Sequence, residues 1–301
     1  MDNVFSVIKL TIQHWAELGW LPSSLAYGFA INALLAGIII GPVLGLLGTL
    51  VVVKRHAFFS EAVGHSALTG VAIGILVGEP YTGPYGSLFG FCLLFGISLN
   101  YLRNRTGLAA DTLIGVFLSM SLALGASVLL ILAGKVNIHI MENVLFGSIL
   151  TVSAEDIWLL AGIAVIVVVV CVLGYNRFIL SSFNAELAAA RRINTKLLDY
   201  VFVMLITIVT VASVKVIGAI LVGALLVIPA AAARTVAASM RSFVLLSVVF
   251  ALIATVAGIL IPMQIDLPVP SGAAIIICAG SLFLACVSAR TILPHLRGGN
   301  A

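Results

Sequence analysis

"VVVKRHAFFSEAVGHSALTG" occupies residues 51–70 and decides how the chain is read. A run of valines ends in Lys54 and Arg55, and a second apolar run begins after His56. Basic residues between two long apolar runs mark a turn at a membrane surface. Within the second run stand Glu61 and His65, four residues apart. The chain is 62% hydrophobic and 9% charged, so an ionisable pair in such surroundings needs a physical reason.

The mean hydropathy of +1.26 excludes an ordinary soluble domain. Working outward from the turn, the apolar runs read as spans at 25–53, 60–78, 86–102, 108–132, 155–175, 197–214, 217–233, 243–261 and 271–289. The first is long enough to tilt or to lie partly in the interface. Span 217–233 is the weakest, because Pro229 interrupts it and Gly218 and Gly223 thin it; a short or broken helix is expected there. The fold class expected is all-α, a polytopic membrane protein of eight or nine helices. The first residues lack a basic start and a small-residue cleavage site, so no cleavable signal peptide is expected. Cys92, Cys171, Cys278 and Cys286 stand singly in apolar runs without CxxC spacing and read as packing residues.

Sidedness follows from the charges. With Lys54 and Arg55 inside, alternation leaves only Lys9, Lys135 and Lys215 of the 15 basic residues on the outer face. That bias orients the chain with its C-terminus in the cytoplasm and supports the span count. Residues 3–20 are too polar to span. Val4, Phe5, Ile8, Ile12, Trp15 and Leu18 recur near helical spacing, with Trp15 and Trp20 as headgroup-level anchors, so residues 1–24 read as an amphipathic outer-surface segment or as a disordered leader. Residues 291–301 form a cytoplasmic tail.

The longest inner stretch is 176–196, "NRFILSSFNAELAAARRINTK". Its "NAELAAARR" part favours a short helix, with Asn184 as N-cap, Glu186 in the first turn and Arg191 and Arg192 late. A surface helix on the cytoplasmic face is a natural docking element. Most acidic residues lie at loop ends: Glu155 and Asp156 open a helix after Ser153, and Asp111 reads as a cap ahead of a transport role.

Glu61 and His65 differ. At i and i+4 they share one helix face among Ala62, Gly64, Ala67 and Gly70, small residues that let a neighbouring helix or an ion approach. Two readings stand. The pair is a hydrogen-bonded structural couple near the inner interface, or it supplies ligands for a first-row divalent metal. Two ligands from one chain make a weak site, as a conduit needs, and a symmetric dimer would supply four. His139 and Glu142 in the outer stretch 135–154 read either as a cation entrance or as ordinary solvated residues. No GxxxxGK[ST] loop, HExxH or GxSxG is present, which excludes the usual mode of ATP binding and the common hydrolytic sites.

Residues 51–78 resemble the start of the zinc/manganese ABC-transporter permease family, whose members carry Asp-x-x-x-His where this chain has Glu61 and His65. "DTLIGVFLSMSLALG" (111–125), "ENVLFGSILTVSAEDIWLL" (142–160), "KVIGAILVGALLVIPAAAAR" (215–234) and "DLPVPSGAAIIICAGSLFLA" (266–285) are similar to further segments of that family, in the same order. The resemblance implies a type II ABC importer permease spanning about residues 25–290, in a bacterial inner membrane. It implies a homodimer, two cytoplasmic ATPase subunits and an extracytoplasmic solute-binding protein. It also implies a transported zinc or manganese ion with no permanently bound cofactor, and no catalysis by this chain. It maps the metal path onto Glu61 and His65, and ATPase coupling onto 176–196 with Asn184, Glu186, Leu187, Arg191 and Arg192. Iron or a metal chelate as cargo, a gradient-driven transporter, and a membrane scaffold are the alternatives. This chain departs from the family at Glu61, where Asp is usual, and at Arg192, where Gly is usual.

Overall fold

A computed structural model describes residues 2–18, 22–79, 85–132, 152–265 and 269–292. Every regular element among them is helical. The α-helices are α1 (Asp2–Glu17), α2 (Gly28–Lys54), α3 (Ala57–Val77), α4 (Tyr85–Thr106), α5 (Ala110–Ile131), α6 (Ala154–Phe183), α7 (Ala185–Ala190), α8 (Thr195–Ile217), α9 (Ala219–Val236), α10 (Met240–Gln264) and α11 (Ser271–Ile292). Eight of them, α2 to α6, α8, α10 and α11, are long and apolar enough to cross a membrane.

Helices α2, α3 and α8 form the buried centre, while α5, α6 and α11 lie at the rim with broad apolar faces turned outward. Between helices in lipid there is little hydrophobic driving force, so close approach carries the packing. Gly37, Gly41 and Gly45 recur every fourth residue along α2 and seat it on α10. A Cβ at Gly41 would stand 2.7 Å from the Thr255 hydroxyl oxygen, and one at Gly45 would stand 2.7 Å from the Ser247 carbonyl oxygen. The Ser247 hydroxyl donates to the Gly45 carbonyl at 2.7 Å, locking the seam.

Helix α1 packs Ala16, with Ile12 beside it, against Leu25, Ala30 and Ile31, and leaves Leu10, Trp15 and Leu18 exposed. An outer-surface helix with one face on the bundle and apolar residues left over fits these contacts.

Three expectations need correction. Residues 176–183 are not loop: α6 runs on to Phe183, because nothing breaks it before Asn184, whose side chain caps the next helix instead. The segment expected to dock is therefore shortened to 184–194. Pro229 does not break α9, which continues through it; the interruption falls at Gly218, at φ 98°, a left-handed conformation that glycine accepts freely. Asp111 does not cap α5. The cap is Ala109, with no side-chain hydrogen bond, and Asp111 lies exposed in the first turn. The Ser153–Asp156 capping box does form, with Ser153 N–H donating to Asp156 at 2.8 Å and Asp156 N–H to the Ser153 hydroxyl at 3.3 Å.

The register of α9 decides how far it crosses. A Cβ at Gly48 of α2 would meet the Leu226 carbonyl, so these two residues stand at one level. Leu226 is only about 10 Å past the start of α9, and Gly48 about 9 Å short of the inner end of α2, at 1.5 Å per residue. The start of α9 thus lies about 20 Å from that end of a helix about 40 Å long. Helix α9 begins about halfway along α2 and places its first turns beside the Glu61 end of α3.

Candidate functional site

Helix α3 is buried on three sides. Toward α4, a Cβ at Gly70 would stand 3.0 Å from Leu88 Cα, and the Ser66 hydroxyl approaches the Cys92 sulfur at 3.4 Å. Toward α5, the Thr69 hydroxyl donates to the Ser121 carbonyl at 2.7 Å. Toward α9, a Cβ at Gly223 would meet Glu61 Cα at 3.1 Å and Glu61 Cβ at 3.3 Å. Gly223 is what lets the backbone of α9 lie directly against Glu61.

The fourth side is open. Phe58 and Glu61 are exposed there, with His65 and Leu68 half-buried along the same stripe. Neither Glu61 nor His65 makes a hydrogen bond or ion pair with any described residue. The hydrogen-bonded couple that was one reading of the pair is therefore not formed. Among the described residues nothing occupies the lone pairs of either group, as ligands for a passing cation require. Among the described residues no cluster of three or more His, Cys, Asp or Glu could hold a metal. Among the described residues one protomer thus brings together two such ligands, Glu61 and His65. Helix α5, packed beside α3, also leaves a face open, with Gly115, Ser119, Ala123 and Ser127 exposed at four-residue spacing.

The segment 184–194, expected from the sequence to dock, has defined geometry. The Asn184 side chain accepts from Leu187 N–H at 2.9 Å, and Asn194 caps α8 by accepting from Leu197 N–H at 3.1 Å. Between them α7 closes with Ile193 N–H donating to the Ala188 carbonyl at 3.0 Å and Arg192 N–H to the Ala189 carbonyl at 2.9 Å. This paired closure needs a left-handed residue, and Arg192 takes that place at φ 56°. It is the position where the resembled family has Gly, the residue that takes this conformation most freely. Glu186, Leu187, Arg191 and Arg192 are all exposed. His139 and Glu142 lie outside the described residues.

Sequence reasoning missed a cluster at the corner between α2 and α3. Lys54, only 6% exposed, donates to Asp199 of α8 at 2.7 Å, and Arg103 of α4 stands 3.6 Å from the other Asp199 oxygen. His56 Nδ1 donates to the Lys54 carbonyl at 2.6 Å, which leaves Nε2 to accept from Arg103. Burial, together with the Arg103 charge, holds His56 down from 6.5 to about 4, so the ring is neutral as this bonding requires. Asp199 gave no local signal: it opens an apolar run, and its partner Lys54 is 145 residues away.

The profile of the ABC 3 transport family matches residues 26–290. The chain belongs to the ABC 3 transport family. It is 32% identical over 258 residues to the manganese import system permease protein ScaB of Streptococcus parasanguinis, covering 86% of this chain and 89% of that one. It is 31% identical over 253 residues to the high-affinity zinc uptake system membrane protein ZnuB of Haemophilus influenzae, covering 84% and 94%. In structure it is similar to PsaBC from Streptococcus pneumoniae in complex with Fab, with a TM-score of 0.75 and 28% identity over 86% of this chain and 91% of the other. The open stripe, the corner cluster and the docking segment all fall inside the part that matches the ABC 3 transport family.

Proposed function

We propose that this chain is the membrane-spanning subunit of an ATP-driven importer of divalent metal ions, with manganese or zinc as cargo, in a bacterial cytoplasmic membrane. The observation that carries the reading is the carboxylate and imidazole of Glu61 and His65, without a partner among the described residues, on the open side of a central helix. Relatives named for manganese and for zinc support the cargo class. A carboxylate oxygen and an imidazole nitrogen suit both ions, and the chain's own two ligands hold them weakly enough to release.

A charged carboxylate cannot face lipid cheaply, so the open side of α3 turns to a second copy of the chain. The exposed small residues of α5 allow that copy to approach closely. Two stripes across the dimer then supply Glu61 and His65 twice, and the ion passes between protomers. His139 and Glu142 serve as the outer entrance, to which an extracytoplasmic solute-binding protein delivers the ion. ATP hydrolysis belongs to a separate cytoplasmic subunit, docked on 184–194 through Glu186, Leu187, Arg191 and Arg192. The transport domain is residues 25–290, flanked by the outer segment 1–24 and the inner tail 291–301. No resident cofactor takes part.

The test is accumulation of radiolabelled manganese or zinc in proteoliposomes that hold this chain with its ATPase partner. Accumulation that needs ATP and disappears on deletion of 184–192 is expected. Accumulation that survives the deletion and follows an ion gradient would show a secondary transporter instead.

A further inference from the structure

The corner cluster ties together four helices at one cytoplasmic end. Lys54 is the last residue of α2, His56 caps the start of α3, Arg103 lies in the last turn of α4, and Asp199 lies in the first turns of α8. Asp199 receives both cations, while His56 joins the Lys54 carbonyl to Arg103. One helical turn past Asp199, Phe202 lies under the same corner. Its ring is 5.8 Å from His56 edge to face and 5.3 Å from the Lys54 ammonium, and it is fully buried. Asp199 and Phe202 share one face of α8, so that face grips the α2–α3 corner by charge and by packing.

Position in the chain gives this grip a consequence. Asp199 follows the docking segment directly, with only the first turn of α8 between it and Asn194. His56 stands five residues before Glu61 on the other side. A displacement of 184–194 moves the start of α8 as a rigid piece, because both of its ends are closed by side-chain and backbone hydrogen bonds. The start of α8 cannot move without dragging or releasing the start of α3. Surface ion pairs stretch and re-form in water, but a lysine as buried as Lys54 has no such substitute partner.

We propose that Lys54, His56, Arg103 and Asp199 form the joint through which ATPase-driven movement of the docking segment reaches the helix that carries Glu61 and His65. The proposal rests on the docking role given above to 184–194. Asp199 is a positioning residue: it touches no cargo and acts through α3.

The experiment uses the full complex with its ATPase partner in lipid nanodiscs, carrying an environment-sensitive fluorophore on Leu76→Cys in a background without the native cysteines. Leu76 is exposed at the outer end of α3, far from both the docking segment and the joint. Because Asp199→Asn strands the Lys54 charge, the neutral pair Lys54→Met with Asp199→Asn is compared with it, and Asp199→Glu serves as the conservative rescue. ATP is expected to shift the fluorophore signal in wild type and, at half the amplitude or more, in Asp199→Glu. In the neutral pair the shift is expected to fall at least tenfold while the ATPase stays bound and active. A wild-type shift in the neutral pair, or a loss in Asp199→Glu as deep as in the neutral pair, would overturn the joint. The signal needs no cargo, so metal uptake measured in parallel separates the two ideas. An ATP-driven shift without metal accumulation sinks the cargo reading and leaves the joint standing. Metal accumulation without a shift does the reverse.

Discussion

The corner before α3 and the open stripe just beyond it hold ionisable groups in opposite states. At the corner, Lys54, His56, Arg103 and Asp199 are bonded to one another, and Lys54 is almost wholly buried. On the stripe, Glu61 and His65 have no partner among the described residues, and Glu61 is exposed. Both places lie in a segment where an uncompensated charge is expensive. A closed set of bonds holds helices in place; an unfilled pair is left available to something that arrives from outside. The comparison therefore assigns stability and force transmission to the corner and binding to the stripe, and each can be attacked alone.

The largest effect on stability is expected at the corner. Asp199→Asn leaves Lys54 buried without a counter-charge, a loss of about 3–5 kcal/mol, read as a lowered Tm in detergent. A drop no larger than that of an ordinary surface substitution would put the corner in the same class as the stripe. Next comes the wall between them. Gly223→Val forces a branched side chain into the Glu61 backbone, where even a Cβ has only 3.1–3.3 Å. About 1–3 kcal/mol of overpacking is expected, with metal uptake falling several-fold as α3 is pushed away from α9. Unchanged uptake would show that the spacing of these two helices does not matter to the path.

Acid should open the corner before it affects the rest of the chain. His56 is held neutral in the folded chain, at about 4 against an ordinary 6.5. Its contribution is complete above 6.5 and is lost as the pH falls through about 4, because protonation removes the Nε2 acceptor and adds a positive charge beside Arg103 and Lys54, with Asp199 alone to offset it. Tm measured across that range should fall in wild type and fall less in His56→Gln. The smallest effect is expected at Arg192. Arg192→Gly relieves a left-handed arginine and should stabilise the docking segment by about 1 kcal/mol, seen as slower amide exchange over 184–194; faster exchange would mean that the arginine side chain holds the turn.

Much of this was legible in the sequence. Nine apolar runs were legible, because a bilayer demands them of any chain that crosses it, and eight of them are helices long and apolar enough to span. Glu61 and His65 stood out because almost everything around them is apolar or small. What stayed hidden depended on partners distant in sequence or on backbone detail. Hydropathy fades at Asn176 and Arg177, yet the helix persists to Phe183, since polarity alone does not end a helix. Pro229 looked like the break, but the chain turns at Gly218, where positive φ is needed. Asp199 passed unremarked because an acid opening an apolar run resembles a helix-start residue until Lys54 is seen beside it.

The stripe's role as the cargo path is decided most directly by comparing metal accumulation in proteoliposomes containing the ATPase partner and either wild type, Glu61→Ala or His65→Ala, with Tm measured on the same preparations. Because neither side chain has a partner among the described residues, Tm should stay within the range of surface substitutions, about 0.5 kcal/mol, while uptake of manganese and zinc falls at least tenfold in each variant. Full uptake of both metals by both variants, at equal folding and assembly, would contradict the account.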